Sequence, residues 1–122
     1  MRRRKVLIVE DEKAIAMLLR QIVRGIGADV EVAYDGAEGL AKIRESRPDL
    51  LLLDLIMPVM SGEELLTALS QEGLLEGLPV VVVSTKETID GLEQLHLPRL
   101  VKPFDTAEVR RIVREHLALD QE

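Results

Sequence analysis

The chain has no cysteine and no tryptophan, and only one tyrosine and one phenylalanine, Tyr34 and Phe104. Without cysteine, disulfides and thiolate metal sites are excluded. Two rings cannot make a platform on which nucleic-acid bases stack. Long apolar runs are missing too. After the basic start Met1-Arg2-Arg3-Arg4-Lys5, only Val6 to Val9 is apolar before Glu10. That is too short for a signal-peptide core, and no run approaches a membrane span. Positive charge is in deficit, with 16 Lys and Arg against 22 Asp and Glu for a net charge of −6. A nucleic-acid surface needs a basic footprint that this chain lacks overall. Arg2, Arg3 and Arg4 form only a local cluster, read as a solvated terminus able to touch an acidic partner. These absences lead to the expectation of a cytoplasmic protein with no membrane and no direct nucleic-acid partner.

What is present gathers into short blocks. With 122 residues, 47% hydrophobic and 31% charged, the chain is globular and has room for one core. Its most apolar block, Leu50-Leu51-Leu52-Leu53, ends in the carboxylate of Asp54, and Pro48 and Pro58 bracket it too closely for a helix. A short, wholly apolar run reads as a strand covered on both faces, as in a parallel sheet. Asp54 then ends a central strand, at the edge where open α/β sheets bind ligands. Alone, an Asp there is an ordinary turn residue.

Lys5 to Val9 is another apolar run, ending in Glu10-Asp11. Ile15, Leu18, Leu19, Ile22, Val23 and Ile26 recur at helical spacing. They predict a helix from Asp11 or Glu12 to Gly25 or Gly27 with these residues inward. Residues 28–33 alternate as an edge strand does. Asp35 with Glu38, and Ser61 with Glu64, are capping boxes. The first opens a helix to about Ser46 that buries Ala37, Leu40 and Ala41, with Ile43 flanking them. The second opens a helix to about Gly73 with Leu65, Leu66 and Leu69 inward. Pro79 to Val83 is a β-branched strand. A helix over 86–95 carries Ile89, Leu92 and Leu95, but Gly91 inside it costs about 1 kcal/mol relative to Ala. Arg99 to Val101 is a brief strand, and Lys102-Pro103 is a bond that tolerates the cis form. Asp105 and Glu108 cap a last helix that buries Val109, Ile112, Val113, His116 and Leu117 and exposes Arg110, Arg111 and Arg114.

The order is (βα)5 with short connections. Right-handed crossovers then require an α/β fold, a doubly wound five-stranded parallel sheet with helices on both faces. The expected strand order is the flavodoxin-like 2-1-3-4-5. The expectation is one domain over residues 1–122, with tails at 1–4 and 119–122 and no output domain.

That topology brings Glu10 and Asp11 beside Asp54. Crowded carboxylates raise one another's pKa unless a cation joins them. Oxygen ligands without Cys or His favour Mg²⁺, or Mn²⁺, over zinc. Ser84-Thr85 ends the next strand with hydroxyls, and Lys102 ends the last with a cation. In sequence, Val6 to Glu12, Asp49 to Gly62 with its Asp-x-x-Met-Pro-x-x-Ser-Gly core, Pro79 to Ser84, and Val101-Lys102-Pro103-Phe104 resemble the receiver domain of bacterial two-component response regulators, in that family's order.

The resemblance implies that Asp54 is a phosphoacceptor, loaded from a histidine kinase or phosphotransfer protein, and that the chain is a signalling domain rather than an enzyme. It implies Mg²⁺ on Asp11, Asp54 and the backbone carbonyl of Ile56, with Glu10 acting through a water. Ser84 and Lys102 would contact phosphoryl oxygens. Their movement would switch the face made by the fourth predicted helix, the fifth strand and the last helix toward a downstream protein or a second copy. Arg99 stands where the family usually has an aromatic switch residue, the segment from Ser84 to Lys102 is about four residues short, and Thr85 is larger than usual. Output is therefore expected by another route, through Arg99 and the Arg110, Arg111 and Arg114 face, the alternative being that these arginines are only a solvated helix face. Apolar Ile56 cannot orient water, so a long-lived acyl phosphate is expected, with Lys86 cationic nearby. The alternative is a receiver-like scaffold that is never phosphorylated. A dehalogenase-type phosphatase would need an acid where Ile56 stands. A flavin binder would not place Glu10-Asp11-Glu12 in its phosphate loop. His96 and His116 lack partners at metal-ligand spacing and read as structural.

Overall fold

The computed structural model describes residues 3–86 and 96–117. The elements run β1 (Lys5–Val9), α1 (Lys13–Gly25), β2 (Asp29–Ala33), α2 (Gly36–Glu45), β3 (Leu50–Asp54), α3 (Gly62–Gln71), β4 (Val80–Thr85), β5 (Arg99–Lys102) and α4 (Thr106–His116). The five strands are parallel, in the order β2-β1-β3-β4-β5. The expected helix over 86–95 lies, apart from Lys86, outside the described residues, as does the expected tail at 119–122.

The sheet is covered on both sides, and strand alternation divides the interior in two. Val6 and Ile8 of β1 and Leu50 and Leu52 of β3 face one cluster, which α1 and α4 complete with Leu19, Val23, Val109 and Val113. Leu7, Val9, Leu51 and Leu53 face the other, which α2 and α3 complete with Leu40, Ile43, Leu65 and Leu69. Successive side chains of a strand point to opposite faces, so a run of four leucines supplies both clusters equally.

The capping boxes at Ser61/Glu64 and Asp105/Glu108 are formed, and Asp35 accepts from the Glu38 amide. Helix α1 differs. Its N-cap is Glu12, whose side chain makes no capping bond.

Two helix faces depart from expectation. In α2, Ala37 and Ala41 are exposed, and the inward stripe is Gly36, Gly39, Leu40 and Ile43. The glycines let this helix approach closely: a Cβ on Gly39 would meet Val9 Cγ2 at 3.0 Å, and one on Gly36 would meet the Met60 carbonyl oxygen at 2.6 Å. In α1, Leu18 is 45% exposed. Ala16, Leu19, Ile22 and Val23 already fill the groove over the sheet, and Ile15 flanks it. Strand β4 begins at Val80, one residue after Pro79, and ends in Ser84 and Thr85 as expected.

The basic N-terminus is engaged where it is described. Arg3 Nε lies 2.7 Å from Asp29, and Arg4 donates to the Leu117 carbonyl at 2.9 Å. His116 is half-buried, with Nδ1 2.8 Å from the Ile112 carbonyl of its own helix. No helix among the described residues is long and apolar enough to cross a membrane.

Candidate functional site

Strand register assembles the site. Val9 pairs with Leu53, so Glu10 stands level with Asp54 one step later. Asp54 pairs with Val83, which puts Ser84 one residue beyond it, and Thr85 pairs with Lys102. Glu10, Asp54 and Ser84 are the buried polar residues of the described chain, at 1%, 4% and 2% exposure. Asp11 is half-buried. Glu10, Asp11 and Asp54 can each offer a carboxylate oxygen, and these atoms lie within 4.8 Å of one another.

Lys102 enters this cluster from β5. Its Nζ is 2.9 Å from Glu10 Oε1, 3.4 Å from Glu12 Oε1 and 3.6 Å from Asp54 Oδ2. The nearest carboxylate is therefore Glu10, not the Asp54 that a simple strand-end salt bridge would select. Backbone amides hold the acids in place: Glu12 N–H donates to Glu10 Oε2 at 3.2 Å, and Ile56 N–H donates to Asp54 Oδ1 at 3.3 Å. The Lys102-Pro103 bond is cis.

Burial and charge oppose each other here. Desolvation is the largest influence on Glu10; the charge of Asp54 adds to it, and together they outweigh Lys102 and raise its pKa to about 7. Asp54 is also raised, first by burial, against the opposing pull of its contact with Glu10 and the charge of Lys102. Burial alone would lower the Lys102 ammonium, but Glu10, Asp54 and Glu12 hold it above its usual value.

Glu10 Oε1 is buried and makes no hydrogen bond, with the Lys102 charge beside it at 2.9 Å. An orphaned acceptor among converging oxygens, with no sulfur or imidazole nearby, fits a hard divalent cation such as Mg²⁺ or Mn²⁺.

The loop after Asp54 forms the rim. Ile56 and Val59 are 63% and 82% exposed. Val59 has φ of 68°, and Met60 N–H donates to the Pro58 carbonyl at 2.7 Å, closing a tight three-residue turn. Gly62 opens α3 against the start of this loop, where a Cβ would lie 2.5 Å from the Asp54 carbonyl oxygen.

The sequence matches the family described as "Response regulator receiver domain" over residues 6–114. The chain belongs to this family. The receiver is 36% identical over 124 residues to the DNA-binding response regulator MtrA of Mycolicibacterium smegmatis, covering 98% of this chain and 53% of that protein. It is 35% identical over 117 residues to the phosphate regulon transcriptional regulatory protein PhoB of Rhizobium meliloti, covering 93% and 52%. The receiver thus spans about half the length of these relatives. Among solved structures it resembles the chemotaxis response regulator CheY4 of Vibrio cholerae, with TM-score 0.85, 28% identity, and 94% and 99% of the two chains covered. It also resembles the receiver domain of the Francisella response regulator 1452, with TM-score 0.80, 31% identity, and 94% and 97% covered.

Asp11, Glu10, Asp54, Ser84 and Lys102 all come to one sheet edge. Ile56 sits beside them through its backbone, its side chain turned to solvent. The sequence reading missed Glu12 as a partner of Lys102. The only advance signal was its place in the Glu10-Asp11-Glu12 run.

Proposed function

We propose that the receiver accepts a phosphoryl group on Asp54 from a phosphohistidine of a kinase or phosphotransfer protein. The observation that carries this reading is the placement of one lysine among convergent carboxylates, Asp54 among them, at the carboxyl edge of the sheet. An Asp54 carboxylate oxygen forms a bond to phosphorus as the phosphorus–nitrogen bond to histidine breaks, and the imidazole leaves as the neutral base after taking up a proton. The Ile56 amide holds Asp54 Oδ1 and so aims the other oxygen. Lys102 supplies positive charge where the phosphoryl oxygens arrive, and buried Ser84 offers a hydroxyl at the same edge. Asp11, Asp54 and the Ile56 carbonyl would hold Mg²⁺, with Glu10 behind a water. That ion would neutralise charge on the transferring group.

The relatives named as DNA-binding carry this domain as about half of a longer chain. Here the proposed partners are the phosphodonor protein and a downstream protein or second copy meeting the face of β5 and α4. Exposed Arg99, Arg110, Arg111 and Arg114 mark that face.

The test is incubation with acetyl phosphate and Mg²⁺, followed by intact mass. The expected result is one added phosphoryl, absent in Asp54→Asn and absent without Mg²⁺. No adduct despite measurable Mg²⁺ binding would favour an unphosphorylated scaffold.

A further inference from the structure

We propose that Glu12 is a positioning residue for Lys102, holding the ammonium beside Glu10 and off Asp54 until a phosphoryl group competes for it. This rests on the phosphoacceptor reading. As N-cap of α1, Glu12 would ordinarily spend its side chain on the helix amides, and short acceptors do that best. Its carboxylate makes no such bond. It reaches across 90 residues of sequence to Lys102 Nζ at 3.4 Å. Its backbone N–H meanwhile holds Glu10 Oε2, leaving Oε1 toward the same lysine at 2.9 Å. One residue thus fixes both sides of the perch on which Lys102 rests, and Asp54 is the farthest of the three carboxylates, at 3.6 Å. Lys102 is only 13% exposed, so it does not simply drift in solvent. To meet a phosphoryl oxygen on Asp54 it must move away from Glu12. The Glu12 carboxylate is 60% exposed, which limits the pull to a severalfold effect.

The probe is fluoroberyllate with Mg²⁺, a stable phosphoryl stand-in, with affinity measured by calorimetry on the intact chain. Glu12→Gln keeps the backbone donor and loses no cap. It is expected to bind about three- to fivefold tighter, the scale of an exposed ion pair. Glu12→Asp keeps the charge but falls one methylene short, and should behave like Glu12→Gln. In a Lys102→Met background the Glu12→Gln gain should largely vanish. In the metal-free chain, exchange of the Lys102 ammonium protons with water should quicken in Glu12→Gln. Equal gains with and without Lys102, an Asp variant that matches wild type, or unaltered ammonium exchange would each overturn the inference and leave the phosphoacceptor reading standing. If the wild-type chain binds neither fluoroberyllate nor a phosphoryl group, that reading falls and the inference falls with it.

Discussion

Glu10 is buried beside a second carboxylate, and this ties the stability of the fold to pH. In the folded chain its proton is held to about pH 7, whereas an ordinary Glu releases it near 4.5. The folded state binds more protons across that window, so stability that is full below about pH 4.5 is lost as pH rises through about 7. In metal-free buffer the melting temperature should fall from pH 5 to pH 8, and Glu10→Gln should flatten the fall. Val59 is a separate case. A β-branched residue at φ of 68° is strained, and no burial compensates at 82% exposure. Val59→Gly should raise stability by about 0.5–1 kcal/mol in urea titration, relief of strain outweighing glycine's extra freedom in the unfolded chain. The carboxylate cluster was legible in the sequence, because each acid follows an apolar run that had to be a strand. The Glu12 contact was not. It depends on which way one long side chain turns from a helix start, and periodicity carries no signal for that.

Among the elements, close backbone packing at α2 and α3 decides more than the apolar stripes. Periodicity marks Ala37 and Ala41 as inward because they are apolar, and it gives glycine no weight. The structure turns α2 so that Gly36 and Gly39 face in, since only a missing Cβ lets the helix lie on Val9 and Met60. The strands, their order and the capping boxes at Ser61/Glu64 and Asp105/Glu108 were legible because they depend on local chemistry and chain connectivity, whereas Glu38 turns its carboxylate to the Tyr34 amide and leaves the Asp35 box half formed. The rotation of α2 depends on a distance between elements. Gly62→Ala should therefore cost about 2–3 kcal/mol, as its Cβ would press on backbone that cannot yield. Gly39→Ala should cost less, because a valine methyl can shift; urea midpoints compare the two. Removing the cap with Ser61→Ala should cost about 1 kcal/mol. Glu12→Gln should cost nothing by that route, because Glu12 caps nothing.

For the whole molecule, the carboxyl edge concentrates negative charge that folding must hold together, and a bound cation would relieve it. Anything that binds only the folded state stabilises it by mass action, about 2.7 kcal/mol at a hundred times its dissociation constant. Mg²⁺ should raise the melting temperature at pH 8, with a smaller rise in Asp54→Asn. The rise should also shrink toward pH 5, where protons compete for the same oxygens. The sheet has another consequence. It parts the interior into two apolar clusters that share strands but no side chains. Paired changes drawn one from each side, such as Ile43→Val with Val113→Ala, act on separate neighbourhoods and should add in their effects, whereas pairs within one side should not. For a lineage drifting in sequence, the fold offers two interiors that can be rewritten independently, and only the strand backbones and the edge they carry must be agreed by both.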